Sequence, residues 1–172
     1  MAGIEDRMEQ DKNWLERAMD HVPGVSGYKQ KESTREADKI QRVYVAERLE
    51  PSLARLDDLK LDLLRAGKLD ALGDIDVLMR KLRKVRDRVQ YADYGYAGMM
   101  DPVKVGEQKI EELFAFDKGL ETEAGAITDL VSALAAESPS LRTDVKLLGD
   151  RIDALDAKFS ERENLITGAG GN

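Results

Sequence analysis

Cysteine is absent from the sequence, and histidine and tryptophan each occur once. Without cysteine there can be no disulfide and no thiolate chemistry, and a cytoplasmic home is allowed. With His21 as the only imidazole, zinc sites built from Cys and His cannot form. The paired Glu-x-x-His motifs of a di-iron carboxylate bundle are missing as well. No G-x-x-x-x-G-K-[ST], H-E-x-x-H or G-x-S-x-G pattern occurs. Tyr94-Gly95-Tyr96-Ala97-Gly98 carries glycines, but no strand precedes it, so it is not read as a dinucleotide fingerprint. No catalytic, cofactor-binding or metal-binding residue is assigned, and the chain is expected to be non-enzymatic. No apolar run approaches the roughly 18 residues that a membrane span needs. The start, Met1-Ala2-Gly3-Ile4-Glu5-Asp6, is acidic and lacks the apolar region of a secretory signal.

Aromatics make up 5% of the 172 residues and charged residues 35%. That balance suits long amphipathic helices held by Leu, Ile, Val and Ala seams. The expected fold is all-α: an elongated antiparallel bundle of four main helices with coiled-coil-like seams, plus a shorter N-terminal helix. The expected divisions are an amphipathic helix over 1–22, a linker over 23–33, the bundle over 34–166 and a tail over 167–172.

The first helix carries a loose apolar stripe of Ile4, Met8, Leu15, Ala18, Met19 and Val22, and Pro23-Gly24 ends it. His21 lies at its C-terminal end, where the helix dipole favours a cation. Ser33-Thr34-Arg35-Glu36 matches a capping box and opens a helix over about 34–66. The seam of that helix is Ala37, Ile40, Val43, Tyr44, Leu49, Leu53, Leu56 and Leu63. Pro51 predicts a kink or short break near 47–51, and Gly67 the stop. A third helix, starting near 70–74, places Ile75, Leu78, Leu82, Val85 and Val89 at spacings of 3 and 4. Asp101-Pro102 caps and starts a fourth over 102–136. Gly106, Gly119 and Gly125 suggest close approach of a neighbour, or a local bend. Ser138-Pro139 starts a fifth over about 139–166, with Leu141, Val145, Leu148, Ile152, Leu155 and Phe159 in line. The short connection predicts an antiparallel hairpin of the last two helices.

Two stretches stand out as candidate contact surfaces. From Arg80 to Arg88 six of nine residues are basic and one is acidic, and Arg80, Lys81, Lys84 and Arg88 share a helical face. Such a ladder could follow phosphates or anionic head groups. The simpler reading pairs it with Asp57, Asp58 and Asp62, or with Glu107, Glu111 and Asp117. The formal charge of −7 disfavours nucleic acid as a partner. Charge is unevenly spread: residues 74–100 carry six positive and four negative charges, and 101–138 carry three and nine, which suggests that these segments are neighbours. The second stretch is the loop after the basic helix. Tyr91, Asp93, Tyr94, Tyr96, Met99, Met100 and Asp101 suit either a plug of the bundle end or a docking loop, with the Gly27-Tyr28-Lys29 segment opposite.

Gly27-Tyr28-Lys29 with Lys31-Glu32, Arg35 and Asp38, and Arg88-Val89-Gln90-Tyr91-Ala92-Asp93-Tyr94-Gly95-Tyr96, give the chain a likeness. It resembles a group of uncharacterised bacterial helical proteins with a glycine-tyrosine turn and an arginine-x-x-tyrosine-alanine-aspartate-tyrosine-glycine-tyrosine turn. The resemblance covers about 25–120 and implies envelope-stress or flotillin-like scaffold components, with no activity attached. The two turns could meet at one end of a bundle, with Arg35 and Asp38 close to Tyr91 and Asp93. The expected function is a scaffold or adaptor working through helix–helix contacts, as a homo-oligomer or with a protein partner in the bacterial cytoplasm. The alternatives are peripheral contact with anionic membrane through the basic helix, and nucleic-acid binding by the same face.

Overall fold

The computed structural model describes residues 27–92 and 102–167, which form four α-helices and no strand. The helices are α1 (Gly27–Arg65), α2 (Asp70–Tyr91), α3 (Pro102–Ala133) and α4 (Leu141–Thr167). The expected N-terminal helix with His21, the loop over 93–101 and the tail over 168–172 lie outside the described residues.

Each helix packs against two others. α1 lies against α2 and α3, and α4 lies against the same two. Cross-helix bonds give the directions. Glu50 meets Arg86 and Lys60 meets Asp76, so α1 and α2 run antiparallel. Tyr44 meets Glu121 and Arg55 meets the carbonyl of Leu134, so α1 and α3 run parallel. Lys81 meets Asp153 and Arg88 meets Asp156, so α2 and α4 also run parallel. Two antiparallel hairpins therefore stand side by side, with α1 opposite α4 and α2 opposite α3. This corrects the neighbourhood inferred from charge: the basic helix packs on α1 and α4, while acidic α3 lies across the diagonal.

The core follows the heptad seams. Ile75, Leu78, Leu82, Val85 and Val89 of α2 are buried together with Met79. All six expected seam residues of α4, Leu141 to Phe159, are buried. In α3 the line Leu120, Ala124, Ile127, Val131 and Leu134 is buried. α1 departs from expectation at its upper end. Val45, Leu49, Leu53, Leu56, Leu59 and Leu63 are inside, but Ile40 is 39% exposed and Val43 and Tyr44 are only partly buried. The heptad line instead runs back from Val45 through Arg42 to Asp38, both buried.

Three features differ from the sequence reading. α1 begins at Gly27, so Ser33 lies inside the helix and its capping-box role is lost. Lys29 to Lys31 and Arg35-Glu36 are good helix formers, and an interior Ser-Thr pair costs only tenths of a kcal/mol per residue, about 0.5 each. The Gly27-Tyr28-Lys29 segment is accordingly helical and forms no turn. α1 also passes through Pro51 without the short break that was one of the two outcomes expected there, the other being a kink. Pro51 is exposed, while Leu49 and Leu53 on either side are buried and hold the helix on the core. Burying two leucines is worth about 3–6 kcal/mol, enough to offset the roughly 3 kcal/mol cost of an interior proline. Gly119 has open space around its Cα, so it does not serve a close helix approach. Gly125 faces only the end of the Arg48 side chain, whose Nη2 would lie 3.3 Å from an added Cβ.

The turns at the lower end are closed by hydrogen bonds. Gly67 adopts φ +69°, and the N–H groups of Gly67 and Lys68 bond back to Leu64 and Leu63, a Schellman stop that glycine makes without steric cost. Lys68 Nζ donates to the carbonyl of Ala136 at 2.7 Å and pairs with Glu137, fastening one hairpin turn to the other.

Candidate functional site: a buried charged layer and a neutralised basic face

Extending the apolar seams by one heptad step reaches charged residues on three helices. In α1 the step from Val45 leads to Arg42 and Asp38, in α3 the step from Leu120 leads to Asp117, and in α4 the step from Phe159 leads to Arg162. The structure buries all four, with Arg162 wholly enclosed. Arg162 donates from Nη2 to Asp38 Oδ1 at 2.5 Å and to Asp117 Oδ2 at 3.0 Å, and its Nε donates to Asp117 Oδ1. Arg42 Nε donates to Asp38 Oδ2 at 3.0 Å. Among the described residues the layer brings together two arginines and two aspartates, whose formal charges balance.

Arg42 does a second job. Its Nη1 donates to the carbonyls of Val89 and Gln90 at 3.3 and 3.2 Å. These are among the last carbonyls of α2, which no further turn can satisfy, and a cation there also meets the negative end of the helix dipole. The charged layer therefore lies at the level where α2 ends. Arg55 treats α3 in the same way, donating from Nη2 to the carbonyl of Leu134 at 2.7 Å. Burial pushes the Asp117 carboxyl up from its ordinary value, and the hydrogen bond and charge of Arg162 pull against that rise. Removing one partner from such a layer leaves an uncompensated buried charge, so the four groups hold one another in place.

The basic face of α2 turns toward α4. Lys81 Nζ donates to Asp153 Oδ2 at 2.5 Å, and Lys84 Nζ to Asp156 Oδ2 at 3.0 Å. Arg88 is the most engaged. Its Nη1 donates to Asp156 Oδ1 at 2.5 Å, its Nη2 donates to Ser160 Oγ at 2.9 Å and pairs with Glu163, and its guanidinium lies 5.4 Å from the Phe159 ring centroid. Arg80 is exposed. The partners are thus aspartates and a glutamate of α4 rather than the expected carboxylates of α1 and α3. Of those expected partners, Asp57 sits 4.0 Å from Arg83 and Asp117 belongs to Arg162.

The tyrosine-loop residues divide. Tyr91 is the last residue of α2 and is 73% exposed. Tyr28 and Arg35 lie in the first turns of α1, with Arg35 one turn before Asp38. Asp93, Tyr94, Tyr96, Met99, Met100 and Asp101 lie outside the described residues. Arg35 and Asp38 were expected close to Tyr91 and Asp93; Asp38 is linked through Arg42 to the carbonyls of Val89 and Gln90, just before Tyr91, while Asp93 lies outside the described residues.

Asp117 and Arg162 were not singled out as a pair from sequence. The available signal was the heptad register: a charged residue at the next seam position, on three helices at once, marks a buried polar layer. Among the described residues no group of three His, Asp or Glu side chains is arranged to hold a metal ion, and no helix is long and apolar enough to cross a membrane. Comparison with protein families, with curated proteins and with solved structures gives no match to the chain.

Proposed function

We propose that this chain is a non-enzymatic scaffold or adaptor that acts through helix–helix contacts, assembling with further copies of itself or with a protein partner. One observation carries the reading. α2 ends at the level of Arg42, whereas α1 begins 15 residues before Arg42 and α3 begins 15 residues before Asp117 of the same charged layer. The 39 residues of α1 span about 58 Å, and residues 27–41 alone extend about 22 Å past the end of α2. Helix length that runs on past the described end of a neighbouring helix gives room for further helix–helix packing. The charged layer at the base of the projection supports the reading too. It ties α1, α3 and α4 together through one buried side chain, Arg162.

The basic helix gives less support to the membrane and nucleic-acid alternatives, because Lys81, Lys84 and Arg88 already have carboxylate partners on α4. Sedimentation equilibrium over a wide concentration range, at low and high salt, tests the proposal. The expected result is a mass that rises with concentration and persists in high salt. A monomer at every concentration would overturn self-assembly.

A further inference from the structure

We propose that the lower end of the bundle is a self-complementary docking surface, on which a second copy of the chain seats its Leu69 in the cleft between α2 and α4. This rests on the self-assembly part of the reading above and names the contact that carries it.

The lower end is built wholly from described residues. α1 and α3 end there, α2 and α4 begin there, and the hairpin turns over 66–69 and 134–140 close it. The links to residues outside the described set all leave from the opposite end. Between the two turns and the first turns of α2 and α4 lies an open cleft of about 600 Å³. Leu141 and Val145, both buried, form its floor, and Leu69, Asp70, Asp74 and Arg142 stand round its rim.

The ion-pair ladder between α2 and α4 stops at this rim. Lys81 with Asp153 and Lys84 with Asp156 are pairs 72 residues apart. The same step sets Asp74 against Lys146 and Asp70 against Arg142. Neither pair closes: all four side chains are exposed, and among the described residues none of them has an ion pair. A copy related by a two-fold axis closes the set. With two lower ends face to face, Arg142 of each copy meets Asp70 and Asp74 of the other, so every contact is made twice.

Leu69 is the apolar counterpart. It occupies the N-cap of α2, where serine, threonine, aspartate or asparagine is preferred, and its side chain caps no N–H. It is 62% exposed, the highest value among the described leucines. A leucine that gives its own chain neither cap nor burial breaks a local rule, and such breaks fall where a chain meets something else. In the two-fold pairing each Leu69 leaves water for the floor of the facing cleft.

Charge does not oppose the approach. Residues 62–74 carry three acidic and two basic side chains and residues 134–146 carry two of each, so this end has a net −1 while the chain has −7. Size sets the strength. The end of a four-helix bundle with axes about 8–10 Å apart measures roughly 20 by 20 Å. Pairing two such ends hides about 800 Å² in all, below the roughly 1,200 Å² of stable complexes. The dimer is therefore weak and reversible, with a dissociation constant on the order of 0.1 mM.

Sedimentation equilibrium of the full chain from about 10 μM to about 1 mM brackets that value. Wild type should approach twice its 19.2 kDa at the top of the range. Leu69→Ser should raise the dissociation constant at least about tenfold, while its urea midpoint stays at or above that of wild type. Arg142→Glu, and Asp70→Lys combined with Asp74→Lys, should each stay monomeric. A one-to-one mixture of these two variants should dimerise, because opposite charges then face each other on both sides of the two-fold axis. Substitutions that merely loosened the fold would show no such rescue. Leu69→Ser chains that associate as wild type does overturn the proposal, and so does a mixture that stays monomeric. Association then runs through another surface and the scaffold reading stands. A wild type that is monomeric throughout overturns self-assembly together with this contact, and leaves the cleft to a different protein.

Discussion

Arg162 on α4 reaches across the bundle to Asp38 on α1, with Nη2 and Oδ1 2.5 Å apart, although the two helices stand at diagonal corners. The contact is possible because α2 has ended at that level, leaving the interior to charged side chains. Arg162 bonds Asp117 on α3 at the same time, so one side chain ties three helices. Replacing Arg162 with Ala should lower the unfolding free energy by about 3–5 kcal/mol, as measured by urea titration, because two carboxylates lose their shared cation. Arg162→Met with Asp117→Leu should be less damaging than Arg162→Met alone. An apolar pair avoids the unpaired charge, and Asp38 keeps Arg42.

Asp156 gives a pH signature. Burial works against its ionised form, but hydrogen bonds from Lys84 and Arg88, together with their charges, outweigh it and hold the carboxyl below its ordinary value of 3.8. A depressed folded pKa stabilises the fold above the unfolded pKa, and that contribution is lost as pH falls through the folded value. Asp156→Asn should therefore cost about 1 kcal/mol or less at neutral pH, and the deficit should close as pH falls through the lowered folded pKa, below the ordinary carboxylate range. Asp117 acts in the opposite sense, since its raised pKa makes its ionisation unfavourable to folding as pH climbs. Taking wild type minus variant at each pH cancels that contribution.

Arg88 and Lys81 share a face but should respond differently to truncation. Arg88 has three polar partners on α4 and an aromatic ring beneath it, and is partly buried. Arg88→Ala is expected to cost about 1.5–3 kcal/mol. Lys81 makes a single exposed ion pair, and Lys81→Ala should cost less than about 1 kcal/mol. Thermal melts of the two variants side by side check the ordering.

Gly119 offers a stabilising change. Nothing lies within 4 Å of the position an added Cβ would take. Gly119→Ala should raise stability by about 0.5–1 kcal/mol through helix propensity alone. A loss of stability would show that the glycine has a packing partner.

Much of the fold was legible in the sequence because the seams of α2 and α4 keep strict 3–4 spacing in apolar residues. The Schellman stop at Gly67 and the start of α3 at Pro102 were legible from local chemistry, a glycine that takes positive φ and a proline suited to a first helical turn. What escaped depends on other helices. Following apolar residues alone leads the α1 seam from Leu49 to Tyr44, Val43 and Ile40, when Val45, Arg42 and Asp38 hold the register. Whether Lys81 meets Asp57 or Asp153 is decided by which helix stands beside α2, and charge totals pointed to the wrong neighbour. The start of α1 at Gly27 reflects a choice between a local cap at Ser33 and continuation of a helix already nucleated, which favours continuation.

The basic face of α2 fastens the chain to itself, which leaves helix–helix packing as its proposed mode of contact. Flotation with anionic vesicles at low salt, for wild type and for Asp153→Asn with Asp156→Asn, tests this most directly. Wild type is expected to stay in the soluble fraction, while the double variant, with Lys81 and Lys84 released, moves up with the vesicles. Flotation of the wild type itself, no stronger in the variant, would contradict this and make the basic helix the working surface.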